Sequence, residues 1–359
     1  MRAVTFSEAE SKRRDALEVA GPFATNVPAD VRWLLCGRGR PVSAGSPAYR
    51  VVVSPESAEV RFKDIEGPRV AAEERFEEIG YTPVPERWYE RPAAAPPPPD
   101  LRALRRALAP EELARYRVAG AEVAGVFVDI LAGLRPDQRE LEVAGALAGA
   151  LVARGFTAPV VLVGGERRAP VYRHPLPTEV PLGRFALLAV TAERDGLHTS
   201  MTRIVSFGDP PPGLVECVRI SAEVDAAVLG ASRPGRTLGE LFTVLQAAYA
   251  RAGLPEEWRH HHQGGIAGYL GREVFCDAGR RNRAAARVRA GLESVGGRRR
   301  QVRGHGARHR GRGRDHHAHA RPRRDRDGGR PEPPWRGRRV DVRARRARRA
   351  CVGARRGRA

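Results

Sequence analysis

The sequence predicts an α+β chain with a small N-terminal α/β domain, a larger α+β domain and a disordered basic tail. Three observations carry that prediction. β-Branched runs separated by turn residues recur in two places, at residues 50–62 and 160–207. Helical periodicity dominates the segments between and after them. Charge is segregated, because residues 279–359 carry a net +23 and the first 278 residues a net −2. The length of 359 residues fits two domains of about 150 residues and an appendage. The divisions expected are 1–95, a Pro-rich linker with the first helix over 96–112, a second domain over 113–278, and a tail over 279–359.

In chain order, Arg50–Val53 and Glu59–Phe62 flank Ser54-Pro55-Glu56-Ser57 and read as a hairpin. Pro68–Phe76 has helical composition. Pro92–Pro99, PAAAPPPP, is a polyproline-type spacer. Asp100 is placed to cap a helix over Leu101–Leu108, and Pro110-Glu111-Glu112 opens another. Along the latter, Leu113, Tyr116, Val123, Val126, Phe127, Ile130 and Leu134 keep a period of about 3.6 residues. Gln138–Arg154 is a further amphipathic helix stopped by Gly155. Val160–Gly165, Leu187–Val190 and Ile204–Phe207 read as strands, with a turn at Arg194-Asp195-Gly196. Leu214–Leu229 and Leu238–Arg251 are helical, followed by a His/Gly-rich strand.

Composition excludes several classes. No run of 18 apolar residues is present, so no membrane span is expected. The first residues, MRAVTFSEAESKRRDA, lack a secretory h-region. Cys36, Cys217, Cys276 and Cys351 are scattered without a CxxC pair, which fits a reducing, cytoplasmic setting and no structural zinc. No G-x-S-x-G elbow is found.

The tail carries 29 Arg against 6 acidic residues, leaving the first 278 residues close to neutral. It has almost no aliphatic periodicity, so it cannot offset its ordering entropy. Its RGHGARHRGRGR segment (Arg303–Arg314) resembles RNA-binding RG-rich stretches, which implies at most non-specific nucleic-acid contact. The preferred account is a frameshift in a GC-rich gene, since Arg so outnumbers Lys (only Lys12 and Lys63) throughout the chain.

Chemistry concentrates in Arg259–Glu273, RHHHQGGIAGYLGRE, where imidazole, carboxylate, guanidinium and flexible backbone meet. A zinc site from His260–His262 with Cys276 is disfavoured, because adjacent histidines do not easily all point at one ion. A second motif-bearing stretch is Arg173-His174-Pro175-Leu176-Pro177-Thr178, followed by Gly183 and then Glu193–Arg203, ERDGLHTSMTR.

With Tyr269–Glu273, YLGRE, these segments resemble the aminopeptidase P/creatinase family over about residues 30–277. The resemblance implies a creatinase-like N-terminal domain and an incomplete C-terminal "pita-bread" domain, a peptide or small amide substrate, and a homodimer. Metallopeptidases of that family hold two divalent metals through two Asp, one His and two Glu, and the metal pair activates a bridging water. By resemblance the two Asp positions are Ala189 and Ser200, and neither side chain replaces a carboxylate. No cofactor is therefore expected, with manganese, cobalt or zinc only if the degenerate site still binds. Asp195 matches the family's turn aspartate.

The resemblance makes His174 the substrate-side histidine and His262 (or His261) the histidine of the glycine segment. Candidate catalytic residues are His174, His262 and Glu273, as a metal-free imidazole–carboxylate pair. The structural alternative is a capping or core His174 and a Glu273 salt-bridged to Arg272. Candidate substrate-binding residues are His198, Arg203, Tyr269 and Arg272. Three functions stay open: an impaired or metal-independent Xaa-Pro peptidase-like hydrolase, a non-catalytic binder of peptides or small molecules, and a nucleic-acid binder acting through the tail.

Overall fold

A computed structural model describes residues 6–43, 48–90 and 96–276. The expectations for the basic tail and for the first half of the polyproline spacer, residues 92–95, lie outside these residues.

The N-terminal part is built on a four-stranded sheet in the order β1-β2-β3-β4, formed by Phe23–Thr25, Tyr49–Val53, Ala58–Lys63 and Thr82–Glu86. The expected hairpin is present: β2 and β3 run antiparallel with Val51 opposite Val60, and Ser54 N donates to Ser57 O at 2.8 Å. Alternation of buried Tyr49, Val51 and Val53 turns one face of β2 inward. Helices α1 (Phe6–Ala20) and α2 (Pro28–Leu34) complete this layer. Neither helix is among the elements expected from the sequence. The charged run of α1 hides an inward face on which Lys12 and Glu8 are buried. The Pro68–Phe76 segment is helical but irregular. A single turn, α3 (Gly67–Arg69), passes into a wide-turn segment over Val70–Glu74, and Arg75 then takes a left-handed conformation.

Asp100 Oδ1 accepts from Arg102 N at 3.1 Å, but Leu101, not Asp100, holds the cap position, and the helix is only α4 (Arg102–Arg105). Arg105 is drawn into the interior by acidic partners. The long helix α5 (Pro110–Ala132) and α6 (Glu140–Val152) follow as expected.

Both helices pack on an antiparallel sheet of β5 (Thr157–Gly165), β6 (Phe185–Arg194) and β7 (Leu197–Ser206). Ala186, Leu188, Val190 and Ala192 of β6 join Val123, Val126, Phe127, Val143, Leu147 and Leu151 in one core. Asp195 and Gly196 both have positive φ, 54° and 78°, as a two-residue hairpin turn of matching twist requires. The expected strands are thus longer than their apolar cores, because the turn extends pairing to Arg194 and Leu197.

Helices α7 (Leu214–Ala231) and α8 (Leu238–Arg251) pair through Ile220, Val224, Leu245 and Ala248. Thr237 starts α8 with a reciprocal cap: Glu240 N donates to Thr237 Oγ1, and Thr237 N donates to the Glu240 carboxylate. The final strand is a small pair, β8 (Gly265–Ile266) and β9 (Val274–Phe275). A single hydrophobic cluster takes in the N-terminal sheet together with Leu101, Leu108, Tyr116, Leu197 and Tyr269. Among the described residues no helix is long and apolar enough to cross a membrane.

Candidate functional site

Strand pleating decides which side chains share the face of the sheet turned away from the helices. Since Ala186, Leu188, Val190 and Ala192 face the helices, Leu187, Ala189, Thr191 and Glu193 lie on the opposite face. On β7 the partners of those residues are Ile204, Thr202, Ser200 and His198. Ala189 and Ser200 therefore lie on the same face of adjacent strands, as a pair of metal ligands would. Their chemistry does not match that placement. Ala189 offers a methyl group, and the Ser200 hydroxyl lies 3.0 Å from Thr191 Oγ1 in a mutual hydrogen bond.

Glu193 is the carboxylate of this face, and it is fully engaged. It accepts from Arg32 Nη2 at 2.8 Å, from Thr157 Oγ1 at 2.8 Å and from Gly196 N at 2.7 Å. Burial alone would raise its pKa, but the Arg32 charge and these hydrogen bonds hold it below the ordinary carboxylate range. Sequence reasoning missed Glu193, although its even spacing from Ala189 was the available signal. Among the described residues no cluster of carboxylates is positioned to share a cation. A pair of hard divalent metals needs such oxygens, so the residues present do not fit it.

The predicted site residues disperse. His198 sits at the turn end of the open face, half-buried, with its backbone tied to Gly268 O (2.9 Å) and the Tyr116 hydroxyl (2.7 Å). Its Nδ1 is buried without a hydrogen bond, and burial lowers its pKa despite the opposing charge of Glu193.

Arg203 lies away from the expected substrate-binding face. It pairs opposite Leu188, so it faces α5 rather than the cleft, and its guanidinium lies 5.8 Å from the Phe127 ring centroid. A strand's period of two separates it from His198, Ser200 and Thr202.

Tyr269 departs from its expected role as well. It is 2% exposed, and its hydroxyl donates to Glu112 at 2.7 Å inside a buried network with Lys12. A side chain with its polar tip already committed in the core does not contact a substrate.

Glu273 is the third to do so. Arg105 Nη2 donates to its carboxylate at 2.8 Å, and the same guanidinium pairs with Asp30. Its partner is thus neither His262 nor Arg272 but an arginine from α4. The Asp30–Arg105–Glu273 triad is buried throughout and joins three distant segments of the chain.

Three imidazoles do converge. His174, in the loop between β5 and β6, has its Nε2 3.0 Å from His261 Nε2. The ring centroids of His261 and His262 are 4.1 Å apart, and those of His174 and His261 are 4.9 Å apart. His262 is pushed down to about 4, first by partial burial and then by the neighbouring His261, Arg272 and His174. Burial likewise lowers His261. Arg272 is the one predicted substrate-binding residue whose charge bears on this cluster. Beside it lies a shallow depression of about 390 Å³ lined by Phe242, Trp258, His261, His262 and Phe275.

The sequence profile of metallopeptidase family M24 matches residues 114–295. A Mycobacterium tuberculosis protein described as "Probable dipeptidase PepE" is 28% identical over 182 residues, covering 50% of this chain and 48% of that protein. An Xaa-Pro dipeptidase of Lactobacillus helveticus is 26% identical over 161 residues, covering 44% of each. The chain thus aligns with about half the length of these curated relatives. Among solved structures, dipeptidase PepE of Mycobacterium ulcerans superposes with a TM-score of 0.63 at 20% identity, covering 79% of this chain and 86% of that one. The Xaa-Pro dipeptidase of Bacillus anthracis gives 0.61 at 16% identity, covering 78% and 87%. Those likenesses establish the two-part pita-bread fold expected from the sequence.

Proposed function

Because the chain belongs to metallopeptidase family M24, we propose that it retains that family's cleft as a binding site for a peptide or small amide and has given up two-metal hydrolysis. The observation that carries this reading is the open face of β6 and β7. Its two would-be ligand positions hold a methyl group and a hydroxyl, Ala189 and Ser200. Its carboxylate, Glu193, is neutralised by Arg32. No hydrolytic step through a metal pair is derived from such a donor set.

A metal-free route through Glu273 with His262 or His174 is also disfavoured. General acid–base catalysis needs a group titrating near the working pH and a partner within hydrogen-bond reach. His262 is held near 4, and Glu273 is bound to Arg105. What the cleft retains is a polar row, Thr191, Ser200 and Thr202, suited to hydrogen-bonding a peptide backbone. The Xaa-Pro and dipeptide substrates in the names of the relatives suggest short peptides as ligands.

The test is to supply the full chain with excess manganese or cobalt and measure both hydrolysis and binding of Xaa-Pro dipeptides. The expected result is saturable peptide binding, unchanged by manganese, with no release of the free amino acids in the presence of either metal. Turnover that rises in proportion to manganese loading would overturn the reading, as would the absence of any peptide binding.

A further inference from the structure

We propose that His174, His261 and His262 form a mononuclear site for a zinc-class divalent cation, separate in its donors from the lost carboxylate pair. One ligand nitrogen from each of the three lies within 4.8 Å of the other two. Zinc–imidazole bonds of about 2.0–2.1 Å in a tetrahedral shell place ligand nitrogens about 3.3 Å apart. The 3.0 Å between the Nε2 atoms of His174 and His261 needs only a slight opening, and the remaining separations a modest closure. The sequence-level objection to the histidine run was that consecutive side chains diverge. In the fold only two of the three, His261 and His262, are recruited, and the third imidazole comes from a loop 87 residues away.

The surrounding bonds prepare the site. His261 Nδ1 contacts the His262 carbonyl oxygen. A carbonyl only accepts, so Nδ1 carries the proton and Nε2 presents its lone pair to His174. An N–H donated to a backbone carbonyl is the usual way of fixing a ligating imidazole. Arg173, next to His174, donates to Glu257 at 2.6 Å, which fastens the loop to the turn leading into the histidine run. His262 Nδ1 accepts a long hydrogen bond of 3.3 Å from Gly264 N, which coordination would have to release or retune.

Three neutral nitrogens suit zinc, nickel or copper better than manganese or magnesium, which prefer oxygen. His174 and His262 are exposed, and the depression beside the latter leaves room for a water or an exogenous carboxylate as a fourth ligand. This proposal goes beyond the peptide-binding reading and holds whether or not peptides bind.

The test titrates zinc and, separately, manganese into metal-stripped full-length protein by calorimetry. It compares wild type with His174→Gln, His261→Gln and His260→Gln. His260 belongs to the same run but not to the cluster, and histidines elsewhere in the chain contribute equally to every variant. The expected result is one zinc equivalent that weakens by about tenfold or more in His174→Gln and His261→Gln. His260→Gln should keep it, and manganese should not bind there. The cobalt form should show visible bands that are lost in the same two variants. Equal weakening by His260→Gln would show a generic histidine run and overturn the proposal. So would an unchanged zinc isotherm in His174→Gln, whose exposed side chain is not needed for folding.

Discussion

Glu273 and Arg272 are neighbours in sequence with opposite fates in the fold. The arginine is half-buried beside the imidazoles, its Nη1 donating to Gly271 O, while the carboxylate turns fully inward to Arg105. Glu273 accepts there from both Nε and Nη2, at 3.3 and 2.8 Å, and is 6% exposed. Removing one member of a buried ionic group leaves its partner's charge uncompensated, at a cost of about 3–5 kcal/mol when the pair is isolated. Asp30 still holds Arg105, so Glu273→Gln should cost toward the lower end, about 3 kcal/mol. Urea unfolding would measure it. A stable variant with altered peptide affinity would instead place Glu273 in the binding site. The sequence displayed both possible roles of this glutamate and could not choose between them, because its partner lies 168 residues away. Long-range ionic pairing leaves no local periodicity to read.

At the scale of elements, the β6–β7 hairpin was the most legible feature. Period-two alternation and an Asp-Gly turn specify register, and register alone brings Ala189 and Ser200 onto one face. Gly196 does more than turn the chain. With φ at 78°, a Cβ there would lie 2.7 Å from the Tyr269 ring and 2.9 Å from Arg32 Cβ. Gly196→Ala should therefore displace Tyr269 and loosen the Arg32–Glu193 pair, lowering the thermal midpoint by more than a simple turn substitution would. An unchanged midpoint would mean the hairpin end is not packed as described. The cap of α8 makes a milder prediction: Thr237→Ala should cost about 1 kcal/mol, read in the same assay. Less legible were α1, whose charged sequence conceals a buried side, and α4, whose Arg105 turns inward. In both cases a polar residue sits inside because a partner from another element waits there, and propensity holds no record of that partner.

For the whole molecule, the joint between the N-terminal part and the second part carries a buried ionic network beside its apolar contacts. Glu8 and Lys12 on α1 meet Glu112 and Arg115 on α5, with Lys12–Glu112 at 2.6 Å and Arg115–Glu8 at 2.7 Å. Burial works to raise the Glu8 carboxyl, but the Arg115 hydrogen bond and the charges of Lys12 and Arg115 outweigh it and bring it to about 2. Its folded pKa thus lies below the unfolded value of 4.5. The stabilisation is therefore complete above pH 4.5 and is lost as the pH falls from there toward about 2. The stability lost over that range is concentrated where the two parts meet. Full-length protein should keep a nearly constant urea midpoint from pH 7 to pH 5 and lose stability steeply below pH 4. Glu8→Gln should start lower at pH 7 and show a shallower acid slope, since it has no carboxylate there to protonate. Parallel acid slopes for the two proteins would place the acid-sensitive joint elsewhere. The same joint positions Tyr269 and, through the backbone bond from His198 N to Gly268 O, the turn end of the cleft. Peptide binding should therefore weaken over the same acid range in the wild type and less steeply in Glu8→Gln.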